Sequence, residues 1–159
     1  MTKGSCLCGA VRYEVDGPFT SMVNCHCSMC RKHHGAAFAT FVSAPLAGFR
    51  WLSGQSECDA YQSSAEATRP FCRHCGSVAP TLLPQLDVGL CPAGNLEGDL
   101  GLKPQAHWFV GSKAPWYSIY DHLPRHDAYP PEFGMSAVER PAVEAQAGVV
   151  PGSCLCGDV

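Results

Sequence analysis

Apolar residues along this chain come in short alternating runs, broken by glycine and proline. In AVRYEV, Ala10 to Val15, the side chains of Val11, Tyr13 and Val15 fall on one face of an extended segment. AAFATFV (Ala36 to Val42), ECDAYQ (Glu57 to Gln62) and AHWFVG (Ala106 to Gly111) read as further strands. Helical spacing is scarce. Only Ala114 to Leu123 offers a short helix, with Pro115 suited to its first turn. The 16 glycines and 13 prolines are scattered, which interrupts long helices. The pattern predicts a small, mainly β domain with long loops.

Beyond about Phe133 the pattern changes. GMSAVERPAVEAQAGVV contains no aromatic residue and is rich in Ala, Val, Glu and Gly. It reads as a linker over 134–151, with a short frayed helix as the alternative. Then GSCLCG, which spans Gly4 to Gly9, returns at Gly152 to Gly157. The interval is far longer than the roughly 20–50 residues of a solenoid repeat, and suits a duplicated domain. The expected organisation is therefore one domain over 1–133, the linker, and the start of a truncated second copy at 152–159, disordered or loosely packed, with a functional C-terminal element as the alternative.

Composition narrows the function classes. A chain of 159 residues is long enough for one domain with a real core. Lys and Arg total 11 against 14 acidic residues, so no electrostatic grip on nucleic acid is expected. No run of about 18 apolar residues predicts a membrane span. Nor does an apolar run follow Lys3, as a secretory leader would require, and the default expectation is a cytoplasmic protein. The 11 cysteines change this picture most. In a reducing compartment, clustered cysteines hold metal or do chemistry more often than they form disulfides, and an odd number fits a closed disulfide framework poorly. Much of the order of such a domain then comes from metal rather than from a large core.

Three clusters lie in the first half of the chain: Cys6 and Cys8 (C-x-C), Cys25, Cys27 and Cys30 (C-x-C-x-x-C), and Cys72 and Cys75 (C-x-x-C). Tetrahedral zinc with Zn–S of about 2.3 Å needs sulfurs roughly 3.8 Å apart. A C-x-x-C turn meets this when the chain curls back, and Gly76 permits the closing conformation. In C-x-C the two side chains share one side of an extended chain, so a bend at Gly9 brings both thiolates to one metal. One C-x-C and one C-x-x-C together make a closed four-thiolate structural zinc site from Cys6, Cys8, Cys72 and Cys75. Cys25, Cys27 and Cys30 have no nearby fourth thiol. Three protein ligands with an open position describe a catalytic zinc. The alternative is a second closed site completed by a distant Cys58, Cys91, His33 or His34. His26, between two ligands, points in a direction hard to combine with theirs and is not counted as one.

Three thiolates leave Zn²⁺ with a net negative charge and weak Lewis acidity. Such a site still lowers the pKa of an incoming thiol, and a thiolate attacks a carbonyl carbon. Addition of a thiol to a small aldehyde fits it better than peptide or phosphate hydrolysis. Arg31 and Lys32, directly after the cluster, offset its charge, bind a substrate carboxylate, or are solvated surface cations.

GSCLCGAVRYEVDGP, NCHCSMCRKHHGAAF, YQSSAEATRPFCRHCGS and HWFVGSKAPWYSIYDHLP, from Gly4 to about Pro130, together resemble the glutathione-dependent formaldehyde-activating enzyme family, which includes centromere protein V. The resemblance implies a fold of several small coiled β-sheets held by a structural zinc, shared with zinc-bearing methionine sulfoxide reductases. It implies two zinc ions, one structural on Cys6, Cys8, Cys72 and Cys75, and one catalytic on Cys25, Cys27 and Cys30. The activity it implies is that of a carbon–sulfur lyase joining glutathione, or another small thiol, to formaldehyde or a small aldehyde. Glutathione carries two carboxylates, so candidate contacts are Arg31, Ser63, Ser64, Arg69 and Lys113, with Trp116 as an apolar wall. Two other readings compete. One is a zinc-stabilised binding module, which would want a basic segment that this chain lacks. The other is a thiol-based reductase using Cys91 or Cys58, which would need a depressed thiol pKa. Cys58 otherwise reads as a small buried hydrophobe, and Cys91 as a loop or strand-end thiol.

Overall fold

The computed structural model describes residues 1–65, 67–133, 136–138 and 146–159. In chain order its strands and single α-helix are β1 (Thr2–Ser5), β2 (Arg12–Val15), β3 (Ser21–Cys25), α1 (Ser28–His34), β4 (Ala39–Pro45), β5 (Phe49–Ser53), β6 (Cys58–Ser64), β7 (Ala67–Cys72), β8 (Thr81–Leu83), β9 (Val88–Pro92), β10 (Ala106–Trp108) and β11 (Arg125–His126). They form three small sheets: β1-β2-β5, β11-β10-β3-β4-β9-β8, and the hairpin β6-β7. The strand β10 runs parallel to both β3 and β11, and the other pairings are antiparallel. Among the described residues no helix is long and apolar enough to cross a membrane.

The alternation in AVRYEV acts as its period demands. Val11, Tyr13 and Val15 are fully buried, each gaining about 2 kcal/mol from burial before chain entropy is counted. Tyr13 stacks on Phe49 at 5.5 Å and meets the edge of Trp51, which closes one sheet over Ala44 and Cys91 of the other. Two further apolar clusters are built around sulfur. One joins Cys6, Val11 and Cys72, and the other Cys25, Cys30, Ala39 and Phe109. The core is therefore divided, and each part adjoins a cysteine cluster.

Several elements differ from the sequence pattern. Strand β4 begins at Ala39, because Ala36 to Phe38 belong to the turn that follows α1. Strand β10 ends at Trp108, where Phe109 turns into the left-handed region at φ 61°. No helix forms over Ala114 to Leu123. Tyr117 N–H closes one turn on the Ala114 carbonyl, and the Lys113 ammonium caps the carbonyls of Ala114 and Tyr117 that a helix would have used. The helix lies instead at Ser28–His34, too short for a clear periodic signal. The linker expected over 134–151, and the helix weighed for it, lie partly outside the described residues.

Candidate metal centres

The turn between β1 and β2 carries Cys6 and Cys8, and the turn after β7 carries Cys72 and Cys75. Gly9 (φ 76°) and Gly76 (φ 72°) adopt the left-handed conformation these turns need, as the spacing predicts. The four sulfurs lie within 4.8 Å of one another. Cys6 and Cys8 are 3.5 Å apart, and Cys8 and Cys72 are 3.8 Å apart. Ser77 links the two turns, accepting the Leu7 N–H at 3.0 Å and lying 3.3 Å from Cys75 Sγ. The Ser77 side chain, and then its amide, hold the Cys75 thiol down at about 5. Four sulfurs at these separations suit a tetrahedral zinc.

The second group, Cys25, Cys27 and Cys30, also has its sulfurs within 4.8 Å of one another. Cys25 ends β3, and Cys27 caps α1, its sulfur accepting the Cys30 N–H at 3.3 Å. Gly35 (φ 60°) ends the helix, so α1 is held at both ends and returns Cys30 to the other two sulfurs. Hydrogen bonds from Cys25 and then Cys30 pull the Cys27 thiol far below its ordinary range, against burial. Cys25 is pushed the other way, by Cys27 first. At Cys30 the lowering influence of Cys25 is outweighed by Cys27 and burial, and its thiol rises to about 12. A soft divalent metal would displace the protons of these thiols. Among the described residues no further His, Cys, Asp or Glu completes this set. Cys58, Cys91, His33 and His34, weighed as a fourth ligand, are not in it. The three thiolates fit zinc with one position left for another ligand.

Arg69 of β7 reaches this group, donating from Nη1 to Cys30 Sγ at 3.4 Å and from Nε to Ser63 Oγ at 3.2 Å. Ser63 is buried and donates in turn to the Ala67 carbonyl. Sequence reasoning missed a second feature, a chain of side chains that runs from two buried histidines beside the cluster to the exposed Asp121. His26 Nε2 is 2.8 Å from His107 Nδ1, and His107 Nε2 is 3.0 Å from the nearer Asp121 oxygen. Burial, and then His107, lower the His26 pKa to about 4.

The glutathione-dependent formaldehyde-activating enzyme family model matches residues 1–112, a span holding all seven of these cysteines. The chain belongs to that family. A Halomonas elongata protein, whose name proposes glutathione-dependent formaldehyde activation for it, is 29% identical over 127 residues, covering 75% of this chain and 81% of its own length. A crystal structure of a Rhodobacter sphaeroides protein superimposes with a TM-score of 0.51 at 32% identity, over 61% of this chain and 89% of that one.

Within this family frame, the six expected substrate contacts divide. Arg69 and Ser63 stand at the three-cysteine group. Arg31 donates to the His26 carbonyl at 3.2 Å, bracing the turn between Cys25 and Cys27. Lys113 is held by backbone carbonyls. Trp116 is 73% exposed, a rim residue rather than a buried wall, over a cleft of about 170 Å³ that it shares with Arg31, Lys32, Gly35 and Ala36. Ser64 lies in the β6-β7 hairpin opposite Ala67. A larger cavity of about 320 Å³ is lined by His33, His34, Phe38 and Asn95. The lone thiols are quiet. Burial pushes Cys91 up to about 12 and raises half-buried Cys58.

The two copies of the repeated phrase share one backbone closure and differ in which N–H the first sulfur accepts. Cys6 N–H donates to the Val11 carbonyl at 3.0 Å, and Cys154 N–H to the Val159 carbonyl at 2.9 Å. Cys6 Sγ accepts the Val11 N–H and Cys154 Sγ the Gly157 N–H, each at 3.3 Å. Gly157 is left-handed, as Gly9 is. Within the tail one residue is buried. Leu155 is only 8% exposed, where its counterpart Leu7 is 88% exposed. The Lys32 ammonium of α1 also donates to Ser153 Oγ and the Cys154 carbonyl.

Proposed function

We propose that this protein is a zinc-dependent carbon–sulfur lyase of the S-(hydroxymethyl)glutathione synthase type. Cys6, Cys8, Cys72 and Cys75 would hold a structural zinc, and Cys25, Cys27 and Cys30 a catalytic one. The observation that carries this reading is a group of three cysteine sulfurs that no further His, Cys, Asp or Glu completes among the described residues, with a guanidinium against one sulfur. Zinc bound there supplies a position where an incoming thiol loses its proton more readily.

In the reaction, the thiol sulfur forms a bond to the aldehyde carbon, the carbonyl π bond breaks, and the proton released by the thiol ends on the new hydroxyl oxygen. Cleavage is the same sequence reversed. Arg69 opposes the negative charge of the three thiolates and favours the arriving sulfur as its anion. Ser63 holds the Arg69 side chain in that direction. Arg31 and Lys32, at the cleft under Trp116, offer cations to the carboxylates of a peptide-like thiol such as glutathione. Kinship of the fold with zinc-bearing methionine sulfoxide reductases belongs to the same reading, supported by small sheets tied through a four-cysteine cluster.

The test compares the wild type with Cys27→Ser in zinc content and glutathione affinity. About two zinc ions per chain are expected in the wild type. The variant should stay folded, lose one zinc and lose the glutathione site. One zinc in the wild type, or glutathione binding indifferent to Cys27, would overturn the proposal.

A further inference from the structure

His26 stands between two of the proposed ligands, and all but one of its polar atoms is engaged. Its N–H donates to the Trp108 carbonyl at 2.9 Å, and its carbonyl accepts from Arg31 Nε at 3.2 Å. Its ring Nε2 meets His107, while Nδ1 is buried with no partner. Neither ring nitrogen belongs to the group of ligand atoms. An apolar side chain here would remove that unpartnered nitrogen but leave buried His107 Nδ1 without its partner. The imidazole carries one unsatisfied atom and makes a directional bond to β10.

The direction of that bond follows from Asp121. Its carboxylate accepts the Leu123 N–H at 3.0 Å and lies 3.0 and 3.1 Å, by its two oxygens, from His107 Nε2. A carboxylate only accepts, so His107 Nε2 carries a proton. In a neutral ring Nδ1 is then a bare acceptor, and His26 Nε2 must donate to it. The tautomer of each ring is dictated by the group before it. Three segments remote in sequence thereby fix the peptide between Cys25 and Cys27, and β10 pairs with β3 at Trp108 and Cys25 beside it.

We propose that Asp121, His107 and His26 form a positioning chain that sets the separation of the Cys25 and Cys27 sulfurs for metal. It resembles the carboxylate–histidine pairs that orient metal ligands, except that the rings hold the backbone between two ligands and do not bind the metal. This rests on the reading of Cys25, Cys27 and Cys30 as a metal site. The two ideas fail separately: absence of a wild-type cobalt signal from this cluster sinks both, whereas the ring protons are read without reference to the metal.

The experiment has two parts. Long-range ¹H–¹⁵N spectra of the zinc-loaded full chain should show His26 and His107 both as Nε2–H tautomers with bare Nδ1. Cobalt titration, taken as the difference from Cys27→Ser, should then show about tenfold weaker binding to the three-cysteine cluster in Asp121→Asn. Asn donates as readily as it accepts, so the chain loses its direction and mixed tautomers appear, with the melting temperature near that of the wild type. Asp121→Glu, which keeps the acceptor-only group, should restore cobalt affinity at least in part. An Nδ1–H tautomer or a doubly protonated ring in the wild type would overturn the proposal, and that measurement needs no variant. So would cobalt affinity in Asp121→Asn within about twofold of the wild type.

Discussion

Arg69 Nη1 donates to the Cys30 sulfur at 3.4 Å, which joins the β6-β7 hairpin to the three-cysteine group. The charge of the guanidinium offsets that of the sulfurs. Arg69→Gln keeps much of the length and some of the hydrogen bonding but removes the charge. Glutathione affinity by calorimetry should fall about tenfold, with a much smaller change in stability. Unchanged affinity would leave Arg69 only a packing role.

On the proposed reading the first cluster carries the fold. Cys72 is fully buried beside Cys6 and Val11, so losing its sulfur would open both the proposed metal site and an apolar cluster. Cys72→Ser should lower the melting temperature by about 10 °C or more, where Cys27→Ser should lower it far less. Parallel thermal scans with and without a zinc chelator check this. A Cys72→Ser protein as stable as Cys27→Ser would exchange the roles of the two groups.

Cys91 lies in β9 with its thiol fully buried, and burial holds it at about 12. Such a thiol is a poor nucleophile near neutral pH. Cys91→Ser should cost about 1–2 kcal/mol of stability from the buried hydroxyl while thiol–aldehyde turnover survives. Complete loss of turnover in a folded variant would favour the reductase reading instead.

Leu155 anchors the second GSCLCG turn. Leu155→Ala removes most of that contact, and amide exchange at Cys154 and Gly157 should quicken while the core amides of β3 and β4 remain protected. Unaltered exchange at Cys154 would mean that Lys32 alone holds the tail.

Much of the chemistry was legible in the residues themselves. The seven clustered cysteines, their partition into four and three, and the glycines that close the turns at Cys8 and Cys75 all follow from spacing, because a chelating turn is a local structure. The second GSCLCG makes the point in part: in both copies the N–H of the first cysteine reaches the carbonyl of the valine five residues on. Alternation likewise placed Val11, Tyr13 and Val15 inside.

What only the tertiary structure decided was the partners of single residues. Nothing local marks Arg69 as the residue that reaches the sulfurs. The side chains of His26, His107 and Asp121 carry no motif, since the contact is made by β10 pairing with β3 across most of the chain. The same holds for the repeated phrase. Its turn is encoded in eight residues, but Leu7 points to solvent and Leu155 is buried, because each turn meets a different neighbour. Sequence determined where thiols gather. The packing of strands remote in sequence determined which charges and rings stand behind them.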